Sequence, residues 1–284
     1  MTMPAMQTPP QPAPPQQPLA QGTQRRRIGP LEAVGQAFSL ASRNTIKLKK
    51  NPDTLVDVTF QPLLMLFMFT FLFSGAIADG DRNGYLQDLV PGLLVFCPLF
   101  LTIGTGVALC TDIQKGFFDR LRSLPIARSA PLAGMVIGDV VRYVLSIAIV
   151  LGVSTLIGFR IQTNPFEVLL AVALMIVFGL CLCWMSIFAG IMIPTPAAVP
   201  GILVCAVMPL SFGSNIFAPA ETMPGWLQAW VNLNPVTLMT DVNRELLLGK
   251  GDLSSLPGAL AWMAGFLVVF FPLTMRAYRR RLGN

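Results

Sequence analysis

Residues Thr111–Asp139 read TDIQKGFFDRLRSLPIARSAPLAGMVIGD, a charged island between two long apolar runs. Within it Phe117, Phe118, Leu121 and Leu124 recur at near-helical spacing, while Lys115, Asp119, Arg120, Arg122 and Arg128 take the remaining positions. The pattern predicts a short amphipathic helix, apolar along one stripe and charged along the other. Gly116 lies near its start, and Pro125 pushes Leu124 out of the α region, so the helix stops after about two turns. A short rigid helix at a membrane surface can transmit a push to the segments on either side of it.

Both flanks of the island read as membrane. The 284 residues are 54% hydrophobic and 12% charged, whereas about a quarter of an ordinary soluble domain is charged. A helix needs about 20 apolar residues to cross a hydrocarbon core of roughly 30 Å. Six runs qualify, at about 55–78, 86–110, 132–158, 166–193, 197–217 and 256–275. No water reaches that depth, so every backbone N–H and C=O must be paired within its own segment, which selects helices. The expected fold class is an all-α polytopic membrane protein with six transmembrane helices.

The basic residues give the orientation. Of the 20 Lys and Arg, seven precede the first run (Arg25, Arg26, Arg27, Arg43, Lys47, Lys49, Lys50). Four more sit in the 111–131 loop, and Arg276, Arg279, Arg280 and Arg281 close the chain as a stop-transfer cluster. Cytoplasmic loops carry the excess of positive charge, so both termini and the 111–131 loop are expected in the cytoplasm of a multi-pass plasma-membrane protein. The net charge of +6 is thereby read as topology, and no soluble basic face remains for nucleic acid.

Residues 1–30 form a Pro/Gln-rich cytoplasmic tail of disordered composition, with seven prolines in the first 24 positions. Leu31–Lys50 then places Leu31, Val34, Ala37, Phe38, Ala41 and Thr45 on one stripe and Arg43, Lys47 and Lys50 on the other. Such a helix lies in the headgroup layer with its cations toward anionic lipid.

Inside the runs, Gly104-x-Gly106 with Thr102 and Thr105 makes a small-residue face suited to close helix approach. Asp139 and Arg142, three residues apart, are neighbours on one helical face and are expected to form a structural ion pair or to snorkel rather than to bind substrate. Ile193–Ala197 is a tight uncharged turn. The 218–248 stretch is too apolar for a plain loop and too broken for a span. Pro224, Trp226, Trp230, Asn234 and Pro235 stand out within it, with the two tryptophans one turn apart as in an interfacial belt. A pair of short helices dipping into the outer leaflet and returning fits it best.

Catalysis finds no support. No GxxxxGK[ST] phosphate loop is present, so the chain is expected to hydrolyse no ATP and to carry no cofactor. There is no histidine, which removes most hydrolase and metal designs, and the five cysteines all fall in or beside apolar runs.

The run Asp112-Ile-Gln-Lys115-Gly116-Phe-Phe-Asp119-Arg120-Leu121-Arg122-Ser-Leu124-Pro125 resembles the first-cytoplasmic-loop signature of ABC-2 type export permeases, closest to the daunorubicin-resistance type. The Pro-x-Trp…Asn-Pro pattern of 224–235 resembles the external re-entrant region of the same permeases. The resemblance covers the chain from about residue 30 onward, making 31–284 one transmembrane domain. It implies a homodimer whose coupling residues, Lys115, Gly116, Phe117, Asp119, Arg120, Leu121, Arg122, Leu124 and Pro125, dock on two copies of a separate ABC ATPase that binds ATP and Mg. It further implies contact of Phe38 to Lys50 with the ATPase as an alternative to lipid anchoring, gate or folding roles for Pro224, Trp226, Asn234 and Pro235, and export of a hydrophobic small molecule. Met65, Phe67, Met68, Phe69, Phe71, Phe73, Met175, Met185 and Met192 offer a soft apolar lining for such cargo, or simply face lipid. Export of a lipid or lipid-linked glycan is an alternative, and a membrane scaffold without transport activity is another.

Overall fold

The computed structural model describes residues 52–77, 81–117, 130–250 and 253–282. All regular structure among the described residues is helical. Helix α1 spans Pro52–Phe67, widens into a π-helical stretch over Met68–Phe73 and closes with one α turn, Ser74–Ile77. Helix α2 is Arg82–Gln114, α3 Ala130–Ile157 and α4 Pro165–Met192. Helix α5 is Ala198–Phe212, α6 Gly225–Leu233, α7 Pro235–Leu248 and α8 Leu256–Leu282. The expected interfacial helix 31–50 and tail 1–30 lie outside the described residues.

Four helices among the described residues are long and apolar enough to cross a membrane: α2, α3, α4 and α8 with the short turn before it. Val58–Phe73 and Ala198–Phe212 are apolar but shorter. The expected runs at 132–158 and 166–193 are matched within two residues, because Gly158, at φ 129, ends one helix and an Asn164 capping box with Pro165 starts the next. Helix α2 is longer than the hydropathy pattern indicated at both ends, and α8 runs on through the arginine cluster. Helix α5 is shorter, stopping at Phe212 instead of residue 217.

Helix α2 is the axis of the bundle and the most enclosed of the four long helices. It packs on α4 most extensively and also on α7, α3, α5 and α1. Its contact with α4 depends on backbone proximity. A Cβ added at Gly190 would lie 2.5 Å from the Gly106 carbonyl oxygen, and one added at Gly179 would meet Pro98 at 2.7 Å and the Tyr143 ring at 2.9 Å. Ser186 Oγ accepts from the Gly106 amide at 3.1 Å and donates to the Thr102 carbonyl at 2.5 Å, so α4 is hydrogen-bonded to one turn of α2. The small-residue face expected at Thr102–Gly106 divides between two partners: Thr102 and Gly106 meet α4, whereas Gly104 and Thr105 face α3.

Gly190→Ala should force α2 and α4 apart, since the obstructing atom is backbone and cannot rotate away; overpacking of this kind costs about 1–3 kcal/mol. The expected outcome is a lower melting temperature of the detergent-solubilised protein, with Gly265→Ala unchanged because nothing lies within 4 Å of its added Cβ.

Candidate functional site

Two hydrogen bonds fix the ends of the bundle. The Gln87 side chain donates to Gly158 O at 3.3 Å, placing the start of α2 beside the end of α3. The Gln114 side chain donates to Pro194 O at 2.9 Å, placing the end of α2 beside the α4–α5 turn. Residues 111–117, 130–134, 191–198 and 276–282 therefore share one end, and residues 81–88, 158–165 and 213–250 the other.

At the Gln114 end, α2 stops where Lys115 turns and Gly116 adopts φ 63, a left-handed conformation that a side chain would resist. Lys115 is exposed, whereas Phe117 is half-buried and packs on the cluster of Leu109, Cys183, Ile187, Ile191 and Ala277. The other expected coupling residues, Asp119, Arg120, Leu121, Arg122, Leu124 and Pro125, lie outside the described residues. The α4–α5 turn is held from two sides: Gln114 reaches Pro194 O, and Arg281 donates to Ile191 O and, at 3.4 Å, to Ile193 O. Arg281, read from the sequence as part of a stop-transfer cluster, thus also caps the last carbonyls of α4. Nothing in the sequence pairs it with α4, since the two are 90 positions apart.

About 14 Å further in, by helical rise, lies a buried polar cluster. Asp139 Oδ1 accepts from Arg142 Nη1 at 2.8 Å, confirming the expected ion pair. Asp139 Oδ2 accepts from Thr105 Oγ1 at 2.5 Å and from Cys183 Sγ at 3.3 Å. One carboxylate so joins α3 to both α2 and α4. Arg142 also reaches Leu101 O and Thr105 Oγ1, each at 3.4 Å.

At the opposite end, Asn234 is buried and makes three bonds. Its Nδ2 donates to Leu210 O at 2.8 Å and Gly213 O at 2.7 Å, and its Oδ1 accepts from Val236 N at 2.9 Å. It joins the broken end of α5 to the start of α7, where Pro235 occupies the first helical position. Pro224 caps the start of α6. Trp226 is 76% exposed and belongs to none of these contacts, while Trp230 lies against Gly213. The two expected short helices of 218–248 are therefore present as α6 and α7, and of the four residues expected to have gate or folding roles Asn234 has the densest bonding.

The sequence reading missed a second ion pair, Arg244 Nη1 to Asp241 Oδ1 at 3.3 Å. Arg244 also donates to the carbonyls of Asn215 and Asp88, and Asn215 Nδ2 donates to Asp241 at 2.7 Å. The i,i+3 spacing that marked Asp139 and Arg142 marks this pair equally. Beside it a cleft of about 420 Å³ is lined by Asp81, Tyr85, Asp88, Phe217 and Arg244. The aromatic residues expected to line a cargo path divide: Phe67 and Phe71 of α1 are exposed along an apolar groove of about 600 Å³, whereas Phe69 is buried in a stack with Phe217.

Comparison with known proteins agrees with this architecture. Residues 35–248 match the family described as ABC-2 type transporter. The chain is 40% identical over 249 residues to the daunorubicin resistance ABC transporter permease protein DrrB1 of Streptomyces coeruleorubidus, covering 88% of each protein. It is 31% identical over 218 residues to a protein of Cyanophora paradoxa named "Putative transport permease ycf38", covering 75% of this chain and 74% of that one. The inner membrane transport permease YadH of Escherichia coli strain K12 is 23% identical over 228 residues, which are 76% of this chain and 83% of YadH.

Asn234→Ala strands the Leu210 and Gly213 carbonyls in a buried site and should destabilise the protein by about 1–3 kcal/mol. Trp226→Ala, at an exposed position, should stay within about 0.5 kcal/mol of the parent. Thermal unfolding of the two variants in the same detergent compares them directly.

Proposed function

The chain belongs to the ABC-2 type transporter family and is a permease, not an enzyme; on that footing we propose that it is the membrane subunit of an ATP-driven exporter of hydrophobic drug-like molecules. The observation that carries the reading is the 40% identity, along nearly the whole chain, to a permease named for daunorubicin resistance. No phosphate-binding loop is present in the sequence, so the energy has to come from a separate ABC ATPase.

Six crossings fit the helices described. Helix α5, at 15 residues, rises only about 22 Å, less than the roughly 30 Å of a hydrocarbon core. The depth it leaves on its far side is taken up by α6 and α7, a re-entrant pair tolerated there because Asn234 and Arg244 satisfy the freed carbonyls. With the basic ends of the chain inside, the Gln114 end is cytoplasmic and the cleft beside Arg244 faces out.

The mechanism follows from that placement. Two copies of the chain enclose a cargo path, and two ATPase subunits dock on residues 115–125. Leu121 and Leu124 fill a groove in the ATPase while Asp119, Arg120 and Arg122 fix its orientation; Phe117, expected from the sequence to join them, instead packs on the bundle and anchors the segment there. Closure of the ATPase pair on ATP displaces these segments and with them α2 and α3, which leave either side of the loop. An inward-open arrangement is exchanged for an outward-open one of lower cargo affinity, and the ATPase contact supplies the bias between the two. The pinning of the α4–α5 turn by Gln114 and Arg281 supports this reading, since it links the neighbouring helices to the same foot.

Leu121→Glu and Arg120→Glu should lower the ATPase co-purified with the permease by about tenfold or more, the effect expected at an interface anchor. Membrane insertion should be unchanged. Co-purification at the parent level in both variants, or an ATPase turnover indifferent to the permease and to added daunorubicin, would count against the assignment.

A further inference from the structure

We propose that Asp139, with Thr105, Arg142 and Cys183, is a positioning brace that makes α2, α3 and α4 move as one lever when residues 118–129 are displaced. The inference rests on the exporter reading above and names residues that carry the force in it.

The location is the first argument. Thr105 lies nine residues before the end of α2 at Gln114, and Asp139 nine residues after the start of α3 at Ala130. Both are therefore about 14 Å from the helix ends that lead into 118–129. A hairpin pushed at its tip opens between its legs unless a cross-tie joins them, and this is the tie. Cys183 extends it to α4, whose end on the same side, nine residues on at Met192, carries the turn held by Gln114 and Arg281.

The chemistry is the second argument. Burying an ion pair costs desolvation that its attraction does not dependably return, and apolar side chains of equal volume hold helices together as well or better. Adhesion between α2 and α4 is already provided by the Gly106–Gly190 contact and Ser186. What a carboxylate adds is direction. One oxygen is taken by Arg142 of the same helix and the other is shared by Thr105 of α2 and Cys183 of α4, so α3 is held to the rotation and height at which both interhelical bonds form.

The fit around the guanidinium is the third. A Cβ at Gly104 would lie 2.8 Å from Arg142 Nη2, so the glycine leaves the room that lets the arginine lie against α2. Arg142 Nε is buried without a hydrogen-bond partner, and its contacts to α2 are longer than its contact to Asp139. The arginine thus serves to neutralise and orient Asp139, and the carboxylate makes the joint.

Two variants of the full chain, each reconstituted in vesicles with the ATPase, test the brace. Asp139→Asn keeps the shape and removes the charge. Gly104→Ala keeps every charged group and shifts only the flexible tip of Arg142. Daunorubicin moved per ATP hydrolysed should fall about fivefold or more in both, with co-purification of the ATPase and the melting temperature of Gly104→Ala near the parent values. A merely structural role would lower the melting temperature or the yield and leave the ratio unaltered. Parent-like ratios in both variants overturn the brace and leave the exporter reading standing. A parent complex that moves no daunorubicin and leaves ATPase turnover flat removes both. If Asp139→Asn does not assemble, the ratio in Gly104→Ala decides alone.

Discussion

Backbone contact between α2 and α4 at Gly106, Ser186 and Gly190 is the constraint on which the rest of the bundle depends. Inside a bilayer the burial of apolar side chains does not drive helices together, because lipid tails are as apolar as leucine. Close approach must come from small residues that admit another backbone and from hydrogen bonds made across the gap. Ser186 supplies two such bonds to a single turn of α2, and the glycines remove the side chains that would keep the helices apart. Once α4 is fixed this way it positions α8, whose Thr274 hydroxyl donates to Trp184 O and whose Phe271 ring meets Trp184 edge-on. It also positions α3, through Cys183 and Asp139 and through Tyr143, which donates to Gly179 O.

The ends of the bundle are built by a different rule. Wherever a helix stops, its last carbonyls lose their internal partners and need donors from elsewhere. At the Gln114 end the donors are long side chains reaching back from other helices, Gln114 and Arg281. At the opposite end they are Asn234 for α5, and Arg244 and Tyr85 for the irregular stretch 215–217. Carbonyls of Leu210, Gly213, Asn215 and Phe217 at the breaks in α5 and before α7 are thus paired by side chains from elsewhere, as irregular backbone within a membrane protein requires.

That distinction also explains what could be read from the sequence. Spans three and four were legible because hydropathy ends sharply there and local signals, Gly158 and the Asn164 cap, stop and start the helices. Helix α5 was overextended because Phe212, Ile216 and Phe217 carry the apolar run past the polar Ser211, Ser214 and Asn215, whereas the helix is ended at Gly213 and its last carbonyls are taken by a side chain 24 positions from Leu210. The π-helical turn of α1 leaves no trace in the run of Met and Phe that forms it. The Asp139–Arg142 pair was legible because i,i+3 neighbours are a local matter. Thr105 and Cys183, which complete the cluster, are 34 and 44 positions from Asp139 and become its partners only after the helices pack.

Satisfied and unsatisfied buried groups are spread unevenly over the molecule. The α2–α4 crossing and the Asp139 carboxylate are fully bonded. By contrast, of the seven buried side-chain polar atoms without partners among the described residues, Asn215 Oδ1, both amide atoms of Asn243 and Glu245 Oε2 lie on α7 or against it, while Thr70 Oγ1, Ser146 Oγ and Arg142 Nε lie elsewhere. A buried polar atom without a hydrogen bond raises the free energy of the arrangement that contains it, by about 1–3 kcal/mol each. Any rearrangement that pairs these atoms recovers that energy, so the Arg244 end is where a second packing comes closest in free energy to the first. The crossing of α2 and α4 has no comparable reserve: every move there breaks a bond or drives backbone into backbone.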